Sequence, residues 1–456
     1  MLENLMKISV EALKLASRQG ADQVEVFTAY TRTRNIYVEN SVPHLSTNNI
    51  SIGIGLKCAI GKRVGFTAST VFSKKDIERV VEECISITKV SPEDPNFESL
   101  PDPRKPSGTV KNVYDEDLIE MEESKLLKVA DKIVKTAEKG GKVKVLNGLM
   151  RLGEFTFHIT NSLGVDQDHK GTLVFLHFSA KAGENGRVGE GVEKAYSTTL
   201  KNIDFDKFGK ELRRKTLTAL KAELYKGKEE MPVIIVPVEL QGLFDSTVAF
   251  AISGEHVNKQ RSPWKDKLNE KVASESLTIV DDGRMPGGIL SALIDDEGVP
   301  TETKTVIERG VLKNFIYDTY NAYIADTEST GNGYRRSTRT VEEIFMRPVS
   351  CTVSNVEIKP GNKSLEDMIN EIDKGCLVEK FAAPSADPFT GTFGLEVRCA
   401  TLIENGSLGK PIRHALLSGN FYEAIKNILM IGKEQELIEN MKLPPIAFEK
   451  LELIGQ

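Results

Sequence analysis

Residues 232–262 read PVIIVPVELQGLFDSTVAFAISGEHVNKQRS, and this stretch decides the organisation of the second half of the chain. It opens with a branched apolar run at 233–238, which is too short for a helix and is typical of a buried strand. Apolar residues then recur at three- and four-residue spacing, which predicts a helix over 240–253 with one face in a core. Gly254 predicts the end of that helix, and the polar residues 255–262 predict a loop.

An ordered series of motifs runs from Val233 to the C-terminus. They are AISGEHVNKQRS (251–262), KVASESLTIVDDG (271–283), LIDDEGVPTETKTVIERGVLKNFIYDTYNA (293–322), STGNG (329–333), FGLEVRCATLIENG (393–406) and LELIGQ (451–456). The series as a whole is specific, although each motif alone is short. On these residues the chain resembles the TldD/PmbA family, also called the modulator-of-DNA-gyrase family.

The resemblance implies a cytoplasmic two-subunit metallopeptidase in which one subunit type binds zinc and the other does not. The zinc-binding type carries His-Glu-x-x-x-His on the helix after the 233–238 strand, with a cysteine near the C-terminus as a further ligand. In this sequence those three positions fall on Asp245, Ser246 and Phe250, and no cysteine follows Cys399. The chain therefore resembles the metal-free PmbA (TldE) type, so zinc is expected only in a TldD-type partner and no cofactor is expected here.

Composition indicates an ordinary soluble globular protein of 456 residues, of which 40% are apolar and 28% are charged. A formal charge of −6 argues against a phosphate-backbone binder, so no nucleic-acid partner is expected. No run approaches the ~18–20 apolar residues of a membrane span, so no membrane partner is expected either. The five cysteines are scattered and never form Cys-x-x-Cys, which favours buried, reduced thiols in the cytoplasm.

The predicted fold class is α+β, with two helix–meander–helix α/β modules before a largely antiparallel β C-terminal domain. Five prolines between residues 91 and 108 exclude a regular element and predict a linker. The predicted domains are an N-terminal module at 1–90, a linker at 91–110, a second module at 111–230 and a C-terminal domain at 231–456. Single helices are predicted over 116–139 and 420–430, and hairpin turns at 308–310 and 405–406.

Two polar segments lie where the substrate cleft of the family is expected. The neighbours Glu255 and His256 suggest an acid–base pair, but sequence neighbours on a loop usually point apart. Contact with a bound peptide and a loop that faces only solvent are therefore equally favoured interpretations of this segment. The arginines of STGNGYRRSTR (329–339) suit a carboxylate such as a peptide C-terminus, which favours a cleft role. The candidate cleft residues are Glu255, His256, Asn332, Arg335 and Arg336.

Two other groups of residues are interpreted as structural. His158, His169 and His177 lie in one predicted meander, where nothing in the sequence fixes a register that would bring them to a metal ion. The acidic runs at 281–283 and 295–298 lack the ligand spacing of an EF-hand. Since Asp-Gly and Glu-Gly are ordinary turn formers, turns are predicted at both places.

Three functions remain open from the sequence. The first is a non-metal-binding subunit that completes the cleft of a TldD-type zinc peptidase acting on unfolded or short peptides. The second is a homodimeric peptide-binding or scaffold protein without peptidase activity. The third and least favoured is an autonomous hydrolase with a site built from Asp245, Glu255 and His256, and whether a dimer is homo- or heteromeric stays open.

Overall fold

The computed structural model describes residues 1–71 and 73–455, and the first half of the chain forms one antiparallel sheet. The chain begins with α1 (Leu2–Arg18), β1 (Gln23–Glu39), β2 (Val42–Ile60), β3 (Arg63–Thr70) and α2 (Lys74–Val90). It continues with α3 (Glu116–Glu120), α4 (Glu123–Ala137), β4 (Val143–Asn161), β5 (Asp166–Glu184), β6 (Arg187–Ser197) and α5 (Phe205–Lys221). The strand order is β3-β2-β1-β4-β5-β6, so the two helix–meander–helix units share one sheet through the central β1–β4 pair.

The two faces of this sheet are buried against different parts of the chain. Successive strand residues alternate between faces, so Val26 joins the apolar cluster beneath α1 and α2, whereas Phe27 joins a cluster on the opposite face. The helices α4 and α5 cover the same face further along the sheet, around Leu176. On the opposite face Phe157 packs in one cluster with Phe345 from the second half of the chain. The second half is therefore seated directly on the sheet.

The second half of the chain builds two large sheets and one two-stranded sheet, connected by short helices. Its first elements are β7 (Glu223–Leu224), β8 (Lys228–Ile235), α6 (Pro237–Phe244), a π-helical turn (Asp245–Ala249), α7 (Phe250–Ile252) and α8 (Gly254–Asn258). Next come β9 (Ile279–Asp282), β10 (Thr303–Glu308), β11 (Val311–Leu312), α9 (Thr319–Ile324), β12 (Gly333–Tyr334), β13 (Ser350–Cys351), β14 (Val356–Ile358) and α10 (Leu365–Asn370). The last are β15 (Lys374–Phe381), β16 (Thr392–Glu404), β17 (Ser407–Arg413), β18 (Ala415–Asn420), α11 (Phe421–Ala424), β19 (Ile428–Ile431), β20 (Glu436–Ile438), β21 (Met441–Leu443) and β22 (Ile446–Ile454).

Most strand pairs in this half are antiparallel, which confirms the predicted α+β class with a largely antiparallel C-terminal region. One sheet has the order β11-β10-β9-β14-β21-β20, and the other contains β15-β8-β22-β18-β16 with a further β15–β16 pairing that closes it on itself. The exceptions are the parallel pairs β14–β21, β15–β8 and β17–β7. The predicted hairpin turns connect β10 to β11 and β16 to β17, with Asn405 and Gly406 both at positive φ.

Two predicted helices are wrong in extent, and tertiary contacts explain both differences. The predicted helix at 116–139 is broken between α3 and α4, where Arg34 donates hydrogen bonds to the carbonyl oxygens of Met121, at 2.6 Å, and Leu118. The predicted helix at 420–430 ends after α11, because the following residues form β19 and pair with β22. By contrast, Ser73 and Asp76 form the capping box of α2 that their spacing predicts.

Candidate functional site

The helix expected to carry the family's metal ligands contains a local irregularity. It begins at Pro237 rather than Leu240, because proline fits the first turn of a helix, where its missing amide donor is not needed. Residues Asp245–Ala249 then form a π-helical turn. Such turns are rare and are frequent at functional sites. Tyr422 Oη donates a hydrogen bond of 3.1 Å to Thr247 O, so a backbone carbonyl of the widened turn has a side-chain partner.

Gly254 marks a break between two helices rather than the end of the helical segment. Its amide donates a hydrogen bond of 2.8 Å to Ile316 O. A Cβ atom at this position would lie 2.2 Å from Cδ1 of the Tyr317 ring, so only glycine allows this close approach. The predicted loop at 255–262 is therefore wrong over α8, because the docked backbone of residues 316–317 turns the chain into a new helix.

The three positions that correspond to the zinc motif are committed to other contacts. Ser246 Oγ donates to Gly242 O at 2.8 Å and accepts a hydrogen bond from Ala386 N at 3.1 Å. Phe250 stacks on His256, with 3.8 Å between ring centroids. Asp245 alone offers a carboxylate, and its side chain is exposed.

The surroundings of Asp245 favour its uncharged form. Protein atoms around the carboxyl exclude part of its solvent and raise its pKa, and the charge of Glu439 raises it further, whereas Arg339 lowers it. An exposed carboxyl that is nevertheless desolvated lies in a concave part of the surface. Arg339 donates a hydrogen bond of 2.8 Å to Glu439, so the end of the 329–339 segment lies beside the helix.

These residues do not fit a zinc ion. A zinc site needs at least three nitrogen, sulfur or carboxylate donors, and Ser246 and Phe250 supply none. Over residues 1–71 and 73–455, no cluster of three His, Cys, Asp or Glu side chains is arranged to hold a metal ion. We therefore derive no reaction step through a metal ion in this chain.

Glu255 and His256 lie on α8 and do not form an acid–base pair. Glu255 makes an ion pair of 2.7 Å with Lys259, one helical turn later. The His256 ring lies against Phe250, burial lowers the pKa of its imidazole, and its Nδ1 is buried without a hydrogen-bond partner. Adjacent residues of a helix point about 100° apart, so the side chains of Glu255 and His256 contact different neighbours.

The 329–339 segment is largely buried and crosses between the two halves of the chain. Asn332 is fully buried and donates to Asp281 at 2.8 Å. Arg335 forms an ion pair with Glu25 of β1 in which both side chains are 1% exposed. Arg336 Nε donates a hydrogen bond of 2.8 Å to Asp296, which is likewise buried. The segment therefore joins the second half of the chain to the first sheet through the buried Arg335–Glu25 pair, while Asn332 and Arg336 fix it within the second half.

The acidic runs at 281–283 and 295–298 differ in structure, and only the second forms the predicted turn directly. Asp295 Oδ1 accepts hydrogen bonds from Glu297 N and Val299 N, which makes the predicted turn. Asp281, however, lies inside β9 and accepts from Ser354 N at 2.7 Å, so the first acidic run is not a simple turn. His158 and His169 lie on opposite faces of the sheet: the strand pair Phe157–His169 places His169 beside Phe157, and His158 points to the other face.

A cavity of about 430 Å³ lies between the first sheet and the second half of the chain. We call it the sheet–helix cavity. Its walls come from β2 and β3 on one side and from α8, α9 and residues 348–350 on the other. Its polar and aromatic lining consists of Lys57, Phe66, Glu255, Lys259, Glu297, Asp318, Tyr320, Asn321, Arg335 and Ser350. Of the five candidate cleft residues, Glu255 and Arg335 line this cavity, and Asn332, Arg336 and His256 are not among its lining residues.

Two buried carboxyl groups face the sheet–helix cavity. Glu297 is 2% exposed and Asp318 is 5% exposed. Burial, together with the neighbouring charge of Asp318, raises the pKa of Glu297 to about 7, although Lys57 opposes the shift. Burial also raises the pKa of Asp318, against hydrogen bonds donated by Asn321. Carboxyl groups of raised pKa in a cavity are a physical indication of a functional site.

Sequence reasoning missed the two buried carboxyl groups of this cavity and the lysine that faces them. Lys57, Glu297 and Asp318 come from a central strand, a turn and a helix N-terminus, so no linear pattern joins them. The one available signal was the run Asp295-Asp296-Glu297 between the apolar pairs at 293–294 and 299–300. Apolar residues on both sides of consecutive acids indicate that the acids are carried into the interior, where they need buried partners.

The described helices, over residues 1–71 and 73–455, include none long and apolar enough to cross a membrane.

Models of one family match the chain in three consecutive parts. The PmbA/TldA metallopeptidase domain 1 matches residues 24–88, the central domain matches 102–220, and the C-terminal domain matches 228–455.

Known proteins of the same kind resemble the chain over most of its length. A metalloprotease of Methanocaldococcus jannaschii is 28% identical over 84% of this chain and 84% of its own. The metalloprotease PmbA homologue of Buchnera aphidicola (strain APS) is 24% identical over 99% of this chain and 97% of its own. The crystal structure of TldE from Thermococcus kodakarensis superposes with a TM-score of 0.90 at 28% identity, covering 98% of this chain and 100% of that one. Relatives that carry the TldD name match as well, so overall likeness does not assign the subunit type.

Proposed function

The chain belongs to the PmbA/TldD metallopeptidase family, and on that basis we propose that it is a non-metal-binding member that works with a zinc-binding, TldD-type partner. The partner supplies the zinc ion, and this chain completes a cleft that admits unfolded or short peptides. The assembly acts in the cytoplasm, which suits five buried cysteines without disulfides.

The observation that carries this proposal is the set of residues on the helix at 245–250. Bound zinc lowers the pKa of its water from ~16 to ~7, which corresponds to about 12 kcal/mol of activation. One carboxyl group of raised pKa at Asp245, beside an engaged Ser246 and an apolar Phe250, offers no comparable activation. The helix and its π-helical turn persist without the ligands, as expected for a subunit that keeps the scaffold for binding.

The proposed cleft of this chain is the sheet–helix cavity. Glu255 and Arg335 line it directly. His256 lies next to Glu255 on α8, and Asn332 and Arg336 hold the 329–339 segment in place from behind through buried hydrogen bonds. The five residues therefore contribute to one region in two ways, as lining groups and as supports.

A reconstitution experiment tests the division of labour. The chain is purified alone and together with a homologue from the same genome that carries His-Glu-x-x-x-His, and zinc is measured by plasma mass spectrometry. We expect zinc far below one ion per chain for this protein alone, and peptide cleavage sensitive to chelators only when the homologue is present. The homologue alone is the control. Chelator-sensitive cleavage by this chain alone would refute the proposal.

A homodimeric peptide-binding or scaffold protein is the second candidate. It is supported by the sheet–helix cavity, whose polar and aromatic lining suits a peptide without a metal ion. Light scattering separates the two candidates: a stable homodimer that binds peptides, and that gains nothing from the zinc-binding homologue, favours the second.

A further inference from the structure

The sheet–helix cavity contains two carboxylate oxygens that no described residue engages. Thr319 N donates a hydrogen bond of 2.8 Å to Glu297 Oε2, and Asn321 donates to Asp318 Oδ1 through its backbone and its side chain. Within residues 1–71 and 73–455, no donor bonds to Glu297 Oε1 or Asp318 Oδ2. Both side chains are more than nine-tenths buried and both line the cavity. Acceptors of this kind, held in a cavity, require donors from a bound molecule or from water.

The charges around the two carboxyl groups leave one negative charge uncompensated. Arg335 is paired with Glu25 behind the cavity wall. Lys57 has no carboxylate within ion-pair distance among the described residues, and it faces both Glu297 and Asp318 closely enough to oppose their pKa shifts. The two cations Arg335 and Lys57 therefore compensate only two of the three carboxylates Glu25, Glu297 and Asp318. At the rim, Glu255 and Lys259 neutralise each other.

The uncompensated charge can be removed in two ways, by a proton or by a bound cation. Burial and nearby carboxylates raise the pKa of Glu297 to about 7, so near neutral pH the proton and a cation compete for the same carboxylate. Burial and the charge of Glu297 raise the pKa of Asp295 well above its ordinary value, although the backbone amides of Glu297, Val299 and Gly333 donate to this carboxyl and oppose the shift. The charged groups that face Glu297 are Glu25, Lys57, Asp295, Asp318 and Arg335.

The remainder of the lining favours an organic cation over a hydrated metal ion. Phe66 and Tyr320 present aromatic surface to the cavity, and aromatic rings attract ammonium groups. A divalent cation would need a larger set of oxygen ligands than two carboxyl groups provide. We propose that the sheet–helix cavity binds a primary ammonium group, held by Glu297 and Asp318, as carried by the amino terminus of a short peptide.

The choice of a peptide as the source of the amine rests on the proposed function, whereas the binding of an ammonium group does not. Calorimetric titration of the purified full-length chain, without a partner or zinc, separates the two. The probes are trialanine, N-acetyl-trialanine and N-acetyl-lysine amide. We expect trialanine to bind about tenfold or more tightly than its acetylated form, because a charge-assisted hydrogen bond is lost on acetylation. Binding of N-acetyl-lysine amide instead would keep the ammonium site and assign it to a lysine side chain.

Two substitutions of opposite sign distinguish ligand recognition from a structural role. Glu297→Gln should weaken binding of trialanine by about tenfold or more. Lys57→Gln, compared with the unmodified chain at pH 8, should strengthen binding roughly two- to fivefold, because a competing cation is removed while much of the Glu297 carboxyl stays ionised. Glu328→Gln, which removes an exposed carboxylate from an ion pair with Arg104, is the matched control and should leave binding within about twofold. If Glu297→Gln does not fold, Lys57→Gln and acetylation still decide the question.

The competition with a proton gives an independent readout. At pH 7, binding should release a little under half a proton, measured by titration in two buffers of different ionisation enthalpy, and affinity should rise between pH 6 and about pH 7.5, above which the peptide amine, with a pKa of roughly 8, loses its own proton. Equal binding of the acetylated peptide, weaker binding by the Lys57→Gln variant, or displacement of trialanine by millimolar Mg²⁺ or Ca²⁺ would each overturn the proposal.

Discussion

Removal of the Arg336 guanidinium by an Arg336→Met substitution should destabilise the whole molecule. Arg336 Nε donates a hydrogen bond of 2.8 Å to Asp296, and the two side chains are 3% and 0% exposed. Breaking a buried ion pair by removing one partner costs about 3–5 kcal/mol, since an uncompensated charge remains. Arg336 Nη1 is itself buried without a hydrogen-bond partner, and its removal offsets part of this cost. We therefore expect about 3 kcal/mol.

The corresponding change in melting temperature follows from the size of the chain. An unfolding entropy of about 2.1 cal/mol/K per residue over 456 residues gives roughly 1 kcal/mol/K, so 3 kcal/mol lowers Tm by about 3 °C if the chain unfolds as one unit. A smaller cooperative unit gives a larger shift. Differential scanning calorimetry at pH 7 measures it.

A matched control and a second substitution make the reasoning refutable. Arg104→Met breaks an ion pair with Glu328 whose side chains are 47% and 81% exposed, and it should change stability by less than about 1 kcal/mol. The double variant Arg336→Met with Asp296→Asn should recover part of the loss, because the buried charge is gone. An Arg336→Met variant as stable as Arg104→Met, or a double variant that loses the sum of two independent effects, would contradict the buried-charge account.

Three further predictions concern close packing, pH and thiol reactivity. Gly254→Ala should destabilise the chain by about 1–3 kcal/mol in chemical denaturation, because its Cβ would meet the Tyr317 ring at 2.2 Å; the control Gly183→Ala, whose nearest atom lies at 3.7 Å, should cost about 1 kcal/mol or less. The pKa of Glu297 is raised on folding from its ordinary 4.5 to about 7, so the folded chain binds the extra proton and its stability falls as pH rises from 4.5 through 7. Between pH 4.5 and pH 7 the unfolding free energy of a Glu297→Gln variant should fall less steeply than that of the unmodified chain, by up to about 3 kcal/mol over the range. Identical pH profiles of the unfolding free energy for the two proteins would reject this. The five buried thiols should react with a disulfide reagent such as DTNB only on unfolding, and rapid reaction of the native chain would show that their burial is not maintained.

Local pattern was a sufficient guide wherever a residue's conformation depends on its neighbours in sequence. The capping box of α2 and the hairpin turn at Asn405 and Gly406 formed as their spacing predicts, because both depend on hydrogen bonds and φ values within a few residues. The break between α3 and α4 was not predictable in this way. Its carbonyl groups are satisfied by Arg34, which lies more than eighty residues earlier in the chain.

The candidate site shows the same division. The motif series identified the family, and the residues at the zinc positions could be compared one by one. The sheet–helix cavity, however, takes Lys57 from β2, Glu297 from a turn and Asp318 from the start of α9. The local pattern at 295–298 predicts a turn and, through its apolar flanks, burial, but the groups that surround Glu297 depend on the first sheet being packed against the second half of the chain.

The sequence by itself determined the family, the α+β class and the lack of a complete set of zinc ligands at 245–250, because these depend on residue identity and short-range periodicity. The tertiary structure alone decided which charges are buried together and where a cavity remains between the sheet and α8 and α9. The physical reason is that a carboxyl group's pKa and partners are set by groups within a few ångströms in space, which the order of residues along the chain does not specify.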